Sequence, residues 1–379
     1  MKNFYPDQYK QDKNYYIRHN YLKEQFEDYD LIFEELKNVV RNSDFTLGSS
    51  VDELEKAIAK EAGTKFAIGV GSGTDAIRLS LKAIGIGPGD EVIAPAYTFY
   101  ATIGAIATTG AKPVLVDVRS DYNINPEEVI KKINKKTKAI VPVHWSGRPC
   151  EMNTLMDISK NFNIPIVEDA CHALQAEYHQ KRCGSFGLAG CFSFHPLKNL
   201  NVWGDGGIIC TNDEELNYKL KLIRNHGLID RNTCIEYGYN SRLDTIQAVV
   251  AKYVLDNKLE KITNLRRRNA DFLDSNLRDI DFINLVDRDP HLKEVHHLYM
   301  FSSKERIQIV EHLTKNGIDA KIHYPIPMHL QPASKKYKYN NSDFPISELL
   351  ANSTISIPVH EFITFENLNH MVKTIKSYR

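Results

Sequence analysis

Lys198 and Asp169 are two residues of this sequence whose types and setting could do chemistry together. Asp169 ends the apolar run IPIVED, and Lys198 follows in a Ser- and Gly-rich segment, CFSFHPLKNLNVWGDGG (191–207). Taken singly, most lysines are solvated charges and a strand-end Asp often caps a helix. Together they suit pyridoxal 5′-phosphate (PLP), because this cofactor is held covalently by an amine and needs an anion on its pyridine nitrogen.

Several sequence blocks around these residues resemble a known enzyme family. SFHPLKNL followed by GDGGIICTND is similar to the lysine segment of the DegT/DnrJ/EryC1/StrS sugar aminotransferases. Six more blocks match in the right order: GSGTDAI (71–77), GDEVIAPAYTFYAT (89–102), PVHWSGRP (142–149), EDACHA (168–173), GYNSRLDTIQA (238–248) and HYPIPMHLQP (323–332). Dehydratases of the wider family resemble this pattern but carry histidine at the lysine position. Lys198 therefore favours transamination.

The segment GVGSGTDAI offers a phosphate site. It follows the first predicted strand and begins a helix, so Gly73 and Thr74 would present N–H groups and a hydroxyl at the positive end of the helix dipole. The same glycines resemble an incomplete dinucleotide fingerprint, but the third glycine of GxGxxG falls at Thr74 and the acid expected after the second strand is missing. A nicotinamide enzyme is therefore disfavoured.

The resemblance implies roles for further residues around the cofactor. Phe99 would stack on the cofactor face, with Tyr97 and Tyr100 as alternatives. Asp169 would take the pyridine nitrogen and Ser193 would place a hydroxyl on the phosphate. His172 could bond the ring hydroxyl or move a proton, although a lone histidine is as often structural.

Other residues of the resembling blocks are predicted to act beyond the cofactor ring. Asn240 would complete the phosphate site of a neighbouring subunit, which implies a homodimer. Arg242, Tyr324 and His329 are assigned to substrate binding. Histidines 291, 296, 297, 323 and 329 lack the spacing of a metal site, so no metal is expected.

Composition restricts the possible partners. Formal net charge over 379 residues is zero, which gives no electrostatic reason to expect nucleic acid or an anionic membrane. No stretch approaches the roughly 20 apolar residues of a membrane span, and the N-terminus does not resemble a signal peptide. The six cysteines show no CxxC spacing, which favours reduced thiols and a cytoplasmic protein.

Strand and helix patterns alternate through the first two thirds of the chain. The runs KFAIGV, EVIAP, PVLVDV, KAIVPV and IPIVED alternate with helical segments such as VDELEKAIAKEA, which predicts an α/β fold with a mostly parallel sheet flanked by helices. The resemblance implies a PLP type I aminotransferase-like fold with a smaller C-terminal α+β domain. We expect an N-terminal segment (1–45), a large PLP-binding domain (46–240), and a linking helix with the smaller domain (241–379).

The predicted activity is PLP-dependent transfer of an amino group to a ketosugar. By resemblance the donor is L-glutamate and the acceptor a nucleotide-linked ketosugar of surface-polysaccharide biosynthesis. The KNL and GDGG blocks slightly favour amination at C-3 over C-4. A transaminase of a small phosphorylated ketone is one alternative, since no nucleotide-binding residue can be identified. A PLP-dependent sugar dehydratase, which would share the fold and the cofactor contacts, is the other. A structural protein that keeps only the fold would be expected to have lost Lys198 or Asp169.

Overall fold

The computed structural model describes residues 15–379 as an α/β protein. Its α-helices are α1 (Leu22–Gln25), α2 (Tyr29–Arg41), α3 (Ser49–Ala62), α4 (Gly73–Ala83), α5 (Tyr100–Thr108), α6 (Pro126–Lys132), α7 (Met152–Phe162), α8 (Glu214–Ile223), α9 (Thr245–Asn257), α10 (Leu259–Leu277), α11 (Arg306–Lys315), α12 (Pro345–Ser353) and α13 (Phe365–Lys376). Its strands are β1 (Phe66–Val70), β2 (Glu91–Pro95), β3 (Lys112–Val116), β4 (Thr137–Ile140), β5 (Val167–Asp169), β6 (Glu177–Tyr178), β7 (Lys181–Arg182), β8 (Ala189–Ser193), β9 (Gly207–Thr211), β10 (Leu292–Lys293), β11 (Tyr299–Ser302) and β12 (Thr354–Ile357).

The central sheet is mostly parallel, which confirms the predicted fold class. β3, β2 and β4 pair in parallel, and β5 pairs in parallel with β8. Parallel bridges from Ile140 to Ile166 and from Val143 to Asp169 join these two groups. β9 runs antiparallel between β8 and β1, a reversal that the sequence patterns did not predict. The connection from β8 to β9 carries Lys198.

Helices cover both faces of this sheet because its strands are apolar on both sides. In β9, Ile208 and Cys210 pack in a cluster with α3 and α9, whereas Ile209 packs in a cluster with α4, α5 and α8. Strands buried on both faces appear as the continuous apolar runs seen in the sequence. The helix starts also follow the sequence signals, since Asn125 caps α6 and Pro126 occupies its first turn.

The C-terminal part has its own core. α10 leads into the antiparallel pair of β11 and β12, against which α11 and α13 pack. Ile17, from the N-terminal segment, is buried in this same core. The boundaries at 45 and 240 remain predictions, but residues around Ile17 pack with the C-terminal part. No helix between residues 15 and 379 combines the length and apolarity needed to cross a membrane.

Candidate active site

A cavity of about 1340 Å³ lies at the carboxyl ends of the parallel strands β2, β5 and β8. Loops and helix N-termini converge at this edge of an open parallel sheet, which is where such folds bind ligands. Many of the residues that the sequence pointed to line this cavity: Gly73, Thr74, Phe99, Asp169, His172, Ser193, Lys198 and Tyr324. The chain thus brings together residues that are more than two hundred positions apart.

Lys198 lies on the connection that leaves β8, five residues after the strand ends. Its backbone N–H donates to His195 O at 2.8 Å, which fixes the turn that presents the side chain. Burial lowers the pKa of the Lys198 amine to about 8, and the neighbouring acidic groups of Cys171 and Asp169 oppose part of that shift. A sizeable fraction of this amine is therefore a neutral nucleophile near physiological pH.

Asp169 is the last residue of β5, and it is buried. Its Oδ2 accepts a hydrogen bond from the Thr102 hydroxyl at 2.7 Å, and its Oδ1 accepts one from the Cys171 N–H at 3.2 Å. The Asp169 backbone is in register with Cys191 on β8, the strand that leads to Lys198. The acid and the amine thus approach one cavity from adjacent strands.

His172 follows Asp169 on the loop after β5 and is half-buried in the cavity wall. The Ser146 N–H donates to His172 Nδ1 at 3.3 Å. Burial, with the neighbouring positive charge of Lys198, holds the pKa of His172 well below its usual range. In a neutral imidazole whose Nδ1 accepts, Nε2 carries the proton, so we assign His172 as a hydrogen-bond donor through Nε2.

The start of α4 forms a polar cradle beside these residues. Ser72 caps the helix by accepting from the Asp75 N–H at 3.1 Å, while the N–H groups of Gly73 and Thr74 precede the first intrahelical bonds. A Cβ at Gly73 would lie 2.6 Å from Ser193 Cβ, so this position requires glycine. Two free amides, the Thr74 hydroxyl and the Ser193 hydroxyl thus fit a phosphate group.

Aromatic side chains near the end of β2 take different positions. Phe99 lines the cavity and its ring lies 5.4 Å from that of Tyr324. Tyr100 also borders the cavity, but the residue is 64% exposed. Tyr97 is buried in the core beside Trp145. Of the three, Phe99 is the ring that is both half-buried and inside the cavity.

Three predicted site residues do not line this cavity. Asn240 is exposed, and Arg242 donates to Asn225 Oδ1 at 3.2 Å. His329 is buried, with its Nε2 2.9 Å from Glu348 Oε1 and its ring against Phe344. The substrate contact of His329 stays a prediction, since the ring lies outside this cavity and against Phe344.

Sequence reasoning missed the contribution of the N-terminal segment. Tyr15, Arg18, His19, Asn20 and Tyr21 all line the cavity. The segment is held there because the Ile17 N–H donates to Gly317 O and the Asp319 N–H donates to Ile17 O, both at 2.9 Å. Its polar, Tyr-rich sequence carries no periodicity or motif, so nothing in it indicated a place in the site.

Thr102 and the buried carboxylate of Glu168 were also missed. Glu168 lies 2.9 Å from His144 Nε2 and accepts three backbone N–H groups, those of residues 184, 186 and 187. These bonds fix the end of β5 next to Asp169. Within residues 15–379 no group of three or more His, Cys, Asp or Glu side chains is arranged to hold a metal ion.

Comparison with known proteins places the chain among aminotransferases. Residues 27–376 match the model of the DegT/DnrJ/EryC1/StrS aminotransferase family. A "pleiotropic regulatory protein" of Geobacillus stearothermophilus is 38% identical over 94% of this chain and 97% of that protein. The dTDP-3-amino-3,6-dideoxy-alpha-D-galactopyranose transaminase of Aneurinibacillus thermoaerophilus is 37% identical over 92% and 95%, respectively.

Solved structures give the same result. DesV of S. venezuelae superposes with a TM-score of 0.92 at 33% identity, covering 96% of this chain and 98% of that one. The sugar aminotransferase Spr1654 of Streptococcus pneumoniae, described as putative, has a PLP form that superposes with a TM-score of 0.85 at 25% identity, covering 92% and 96%. Spr1654 was also solved with pyridoxamine phosphate (PMP), the aminated cofactor. The chain belongs to the DegT/DnrJ/EryC1/StrS aminotransferase family and is a PLP-dependent aminotransferase.

Proposed function

We propose that this enzyme transfers an amino group from L-glutamate to the keto group of a nucleotide-linked sugar. The observation that carries the proposal is the convergence of the Lys198 amine and the Asp169 carboxylate on one cavity beside a helix N-terminus. Bound PLP supplies an electron sink that makes the substrate carbon next to the amine acidic. The chain must then hold the cofactor, exclude water and move one proton.

Lys198 is the group suited to the covalent and proton-moving roles. Its lowered pKa makes the amine available as a nucleophile and, once released, as a base. The same amine can give its proton back on the second half of the cycle, because its pKa of about 8 is close to the operating pH. Replacing it with histidine, as in the dehydratases of the wider family, would remove the covalent anchor.

The surrounding residues take positioning roles. Asp169, which is buried, would stabilise the proton on the pyridine nitrogen. Gly73, Thr74 and Ser193 would hold the phosphate, Phe99 would pack on the ring face, and His172 would donate through Nε2 to the ring hydroxyl. Together these contacts orient the reacting carbon toward Lys198.

Cavity size supports a large acceptor. A volume of about 1340 Å³ exceeds the roughly 300–1,000 Å³ of ordinary small-molecule pockets, so it has room for PLP and a bulky second substrate. The relative from A. thermoaerophilus makes a dTDP-linked 3-amino sugar according to its name. That likeness, with the GDGG block, supports amination at C-3. A place in the biosynthesis of surface polysaccharides is supported by a relative from Bacillus subtilis, 30% identical, that is named as a spore coat polysaccharide biosynthesis protein.

The site is proposed to be completed by a second copy of the chain. Ser241 anchors the GYNSRLD segment, since its Oγ donates to Asp75 Oδ2 at 2.7 Å and accepts from the Gly71 N–H at 3.2 Å. Asn240, the preceding residue, is left exposed and free to reach a partner's phosphate site. Tyr237 is fully exposed and Phe33 is half-exposed, as expected of apolar residues that a homodimer covers.

The two half-reactions can be tested separately. The PLP-loaded enzyme is mixed with L-glutamate, and formation of 2-oxoglutarate is measured. L-aspartate and L-glutamine are then added to the same reaction as competing donors. The PMP-loaded enzyme is then mixed with dTDP- and UDP-linked 3-keto and 4-keto hexoses and with small keto-phosphates. We expect a nucleotide-linked 3-ketosugar to convert PMP back to PLP, which restores the absorbance of the PLP aldehyde. The Lys198→Ala enzyme should show no such conversion. Restoration by a small keto-phosphate alone would overturn the sugar assignment.

A cytoplasmic location is proposed from the cysteines. All six are free thiols, and five of them are partly or fully buried: Cys150, Cys171, Cys183, Cys191 and Cys210. Reduced thiols persist in the cytoplasm, whereas oxidising compartments favour disulfides. Fractionation of the native host, followed by thiol counting on the purified protein, tests this location.

A further inference from the structure

A chain of two threonine hydroxyls ends on the Asp169 carboxylate. Thr98 Oγ1 lies 3.0 Å from Thr102 Oγ1, and Thr102 Oγ1 lies 2.7 Å from Asp169 Oδ2. All three residues are buried. This hydroxyl chain links the start of α5 to the end of β5.

The direction of the hydrogen bonds follows from the chemistry of the three groups. An ionised carboxylate only accepts, so the single hydroxyl proton of Thr102 goes to Asp169. Thr102 then has no proton left for Thr98, and Thr98 must donate to Thr102. A hydroxyl that accepts one hydrogen bond becomes a better donor in the next one, so Thr98 strengthens the bond from Thr102 to the carboxylate.

The geometry points to Thr102, supported by Thr98, as a positioning residue that fixes the Asp169 carboxylate for its contact with the cofactor. This inference rests on the proposed role of Asp169. Oδ1 is held by the Cys171 N–H and Oδ2 by Thr102, so the plane of the carboxylate has one orientation. Without the Thr102 hydroxyl, the Asp169 carboxylate keeps one hydrogen-bond partner, the Cys171 N–H. It then gains rotational freedom about its Cβ–Cγ bond.

The same threonines connect the Asp169 carboxylate to Phe99, the aromatic residue in the cavity. Phe99 lies between Thr98 and the first residue of α5, and it is the N-cap residue of that helix. The Thr102 N–H donates to Phe99 O at 3.2 Å. The start of α5 thus carries both the Phe99 ring, which is proposed to pack on the face of the cofactor, and the Thr102 hydroxyl, which holds the Asp169 carboxylate.

Thr102→Val keeps the shape of the side chain and removes the hydroxyl, and Thr102→Ser keeps the hydroxyl. For the PLP-loaded enzyme we expect Thr102→Val to lower kcat by about 10- to 100-fold with little change in KM, since a hydrogen bond to a charged group is lost. Thr102→Ser should restore most of kcat. Thr98→Val should give a smaller loss, because the direct bond to Asp169 remains.

A spectroscopic measurement separates positioning from general damage to the fold. With the cofactor labelled by ¹⁵N in its ring, the NMR shift of the pyridine nitrogen reports whether that nitrogen is protonated. We expect Thr102→Val to move this shift toward the unprotonated value and Thr102→Ser to leave it near that of the unmodified enzyme. Thr109→Val is the matched control, because it removes a buried hydroxyl that bonds only to the backbone at the other end of α5.

The outcomes distinguish this inference from the proposed function. If Asp169→Asn abolishes turnover while Thr102→Val matches Thr109→Val in kcat and in the nitrogen shift, the positioning role is wrong and the function stands. If Asp169→Asn and Lys198→Ala both leave turnover intact, the proposed site itself is wrong. If Thr102→Val fails to fold, the Thr102→Ser and Thr98→Val enzymes carry the test through the same nitrogen shift.

Discussion

The hydroxyl of Tyr97 holds the backbone of Tyr324. It accepts the Tyr324 N–H at 3.0 Å and donates to the carbonyl of His323. Tyr97 is buried just beyond the end of β2, whereas Tyr324 lines the cavity. A core residue that follows β2 thus sets the position of a cavity residue that comes from the C-terminal part of the chain.

Tyr97→Phe is expected to loosen Tyr324 without touching the cofactor site. Two partly buried backbone groups lose their partner, which should cost about 1 kcal/mol of unfolding free energy, measured by urea denaturation. We also expect KM for the sugar acceptor to rise by about tenfold, because Tyr324 is no longer held in place.

Tyr122→Phe is the matched control for this change. Its ring lies 5.9 Å from Tyr97, and its hydroxyl accepts one long bond from Thr354 at 3.3 Å. Equal KM values for the two variants would show that the Tyr97 hydroxyl does not position Tyr324.

The lowered pKa of Lys198 predicts how cofactor uptake depends on pH. The amine attacks PLP only when it is neutral, and with a pKa of about 8 roughly a quarter of it is neutral at pH 7.5. An ordinary lysine would have about one neutral amine in a thousand at that pH. The rate of PLP uptake by the apoenzyme should therefore rise from pH 7 and level off above about pH 9.

Borohydride reduction followed by peptide mapping should place the pyridoxyl group on Lys198. The Lys198→Ala apoenzyme provides the background rate of uptake at each pH. A midpoint near pH 10.4 would mean that burial does not lower the pKa of this amine, and a label on another lysine would refute the assignment.

Asp169→Asn tests the proposed contact between the Asp169 carboxylate and the pyridine nitrogen. The substitution keeps the size of the side chain and leaves one oxygen to accept from the Thr102 hydroxyl, but it removes the charge and replaces the other oxygen with an NH2 group. PLP should still bind, as followed by its absorbance, while kcat falls by at least about 100-fold because the ring nitrogen is no longer kept protonated.

Asp213→Asn is the control for this substitution. Asp213 caps α8 through Leu216 N–H at 2.7 Å, and asparagine caps a helix about equally well. Near-normal turnover of Asp169→Asn would show that Asp169, like Asp213, has only a structural role.

The parts of the site that could be predicted from sequence are those with local signals. Strand ends, a helix start at Gly73 and a lysine in a Gly-rich connection all have recognisable patterns, and the parallel sheet brings them to one edge. Thr102 gave no signal, because a threonine in the first turn of a helix has many uses. The antiparallel β9 was also missed, because its apolar run does not encode a direction.

The remaining differences arise from long-range packing. His329 lies in a block that resembles the family, yet its position depends on Glu348 and Phe344, nineteen and fifteen residues further along the chain. The N-terminal segment reaches the cavity only because Ile17 finds a place in the C-terminal core. Neither contact follows from the composition or periodicity of the segments involved.

The last prediction concerns Asn240 and the shared site. Asn240→Ala should weaken PLP retention by about 10- to 100-fold, since a hydrogen bond to a charged phosphate is lost. Retention is measured by dialysis and cofactor absorbance. Because Asn240 is exposed and outside its own cavity, this loss is expected only if it serves the cavity of a second copy.

Subunit mixing decides whether Asn240 acts on the cavity of its own chain or on that of the partner. The Asn240→Ala chain is mixed with the Lys198→Ala chain. If Asn240 acts on the partner, one site of each heterodimer carries both defects and the other site carries neither. Part of the activity then returns. If Asn240 acts within its own chain, every site keeps one defect and mixing restores nothing. Asp169→Asn mixed with Lys198→Ala is the control, because both residues line the cavity of the same chain and no activity should return. With subunit exchange confirmed by differently tagged chains, failure of the Asn240 mixture to regain activity would rule out the shared site.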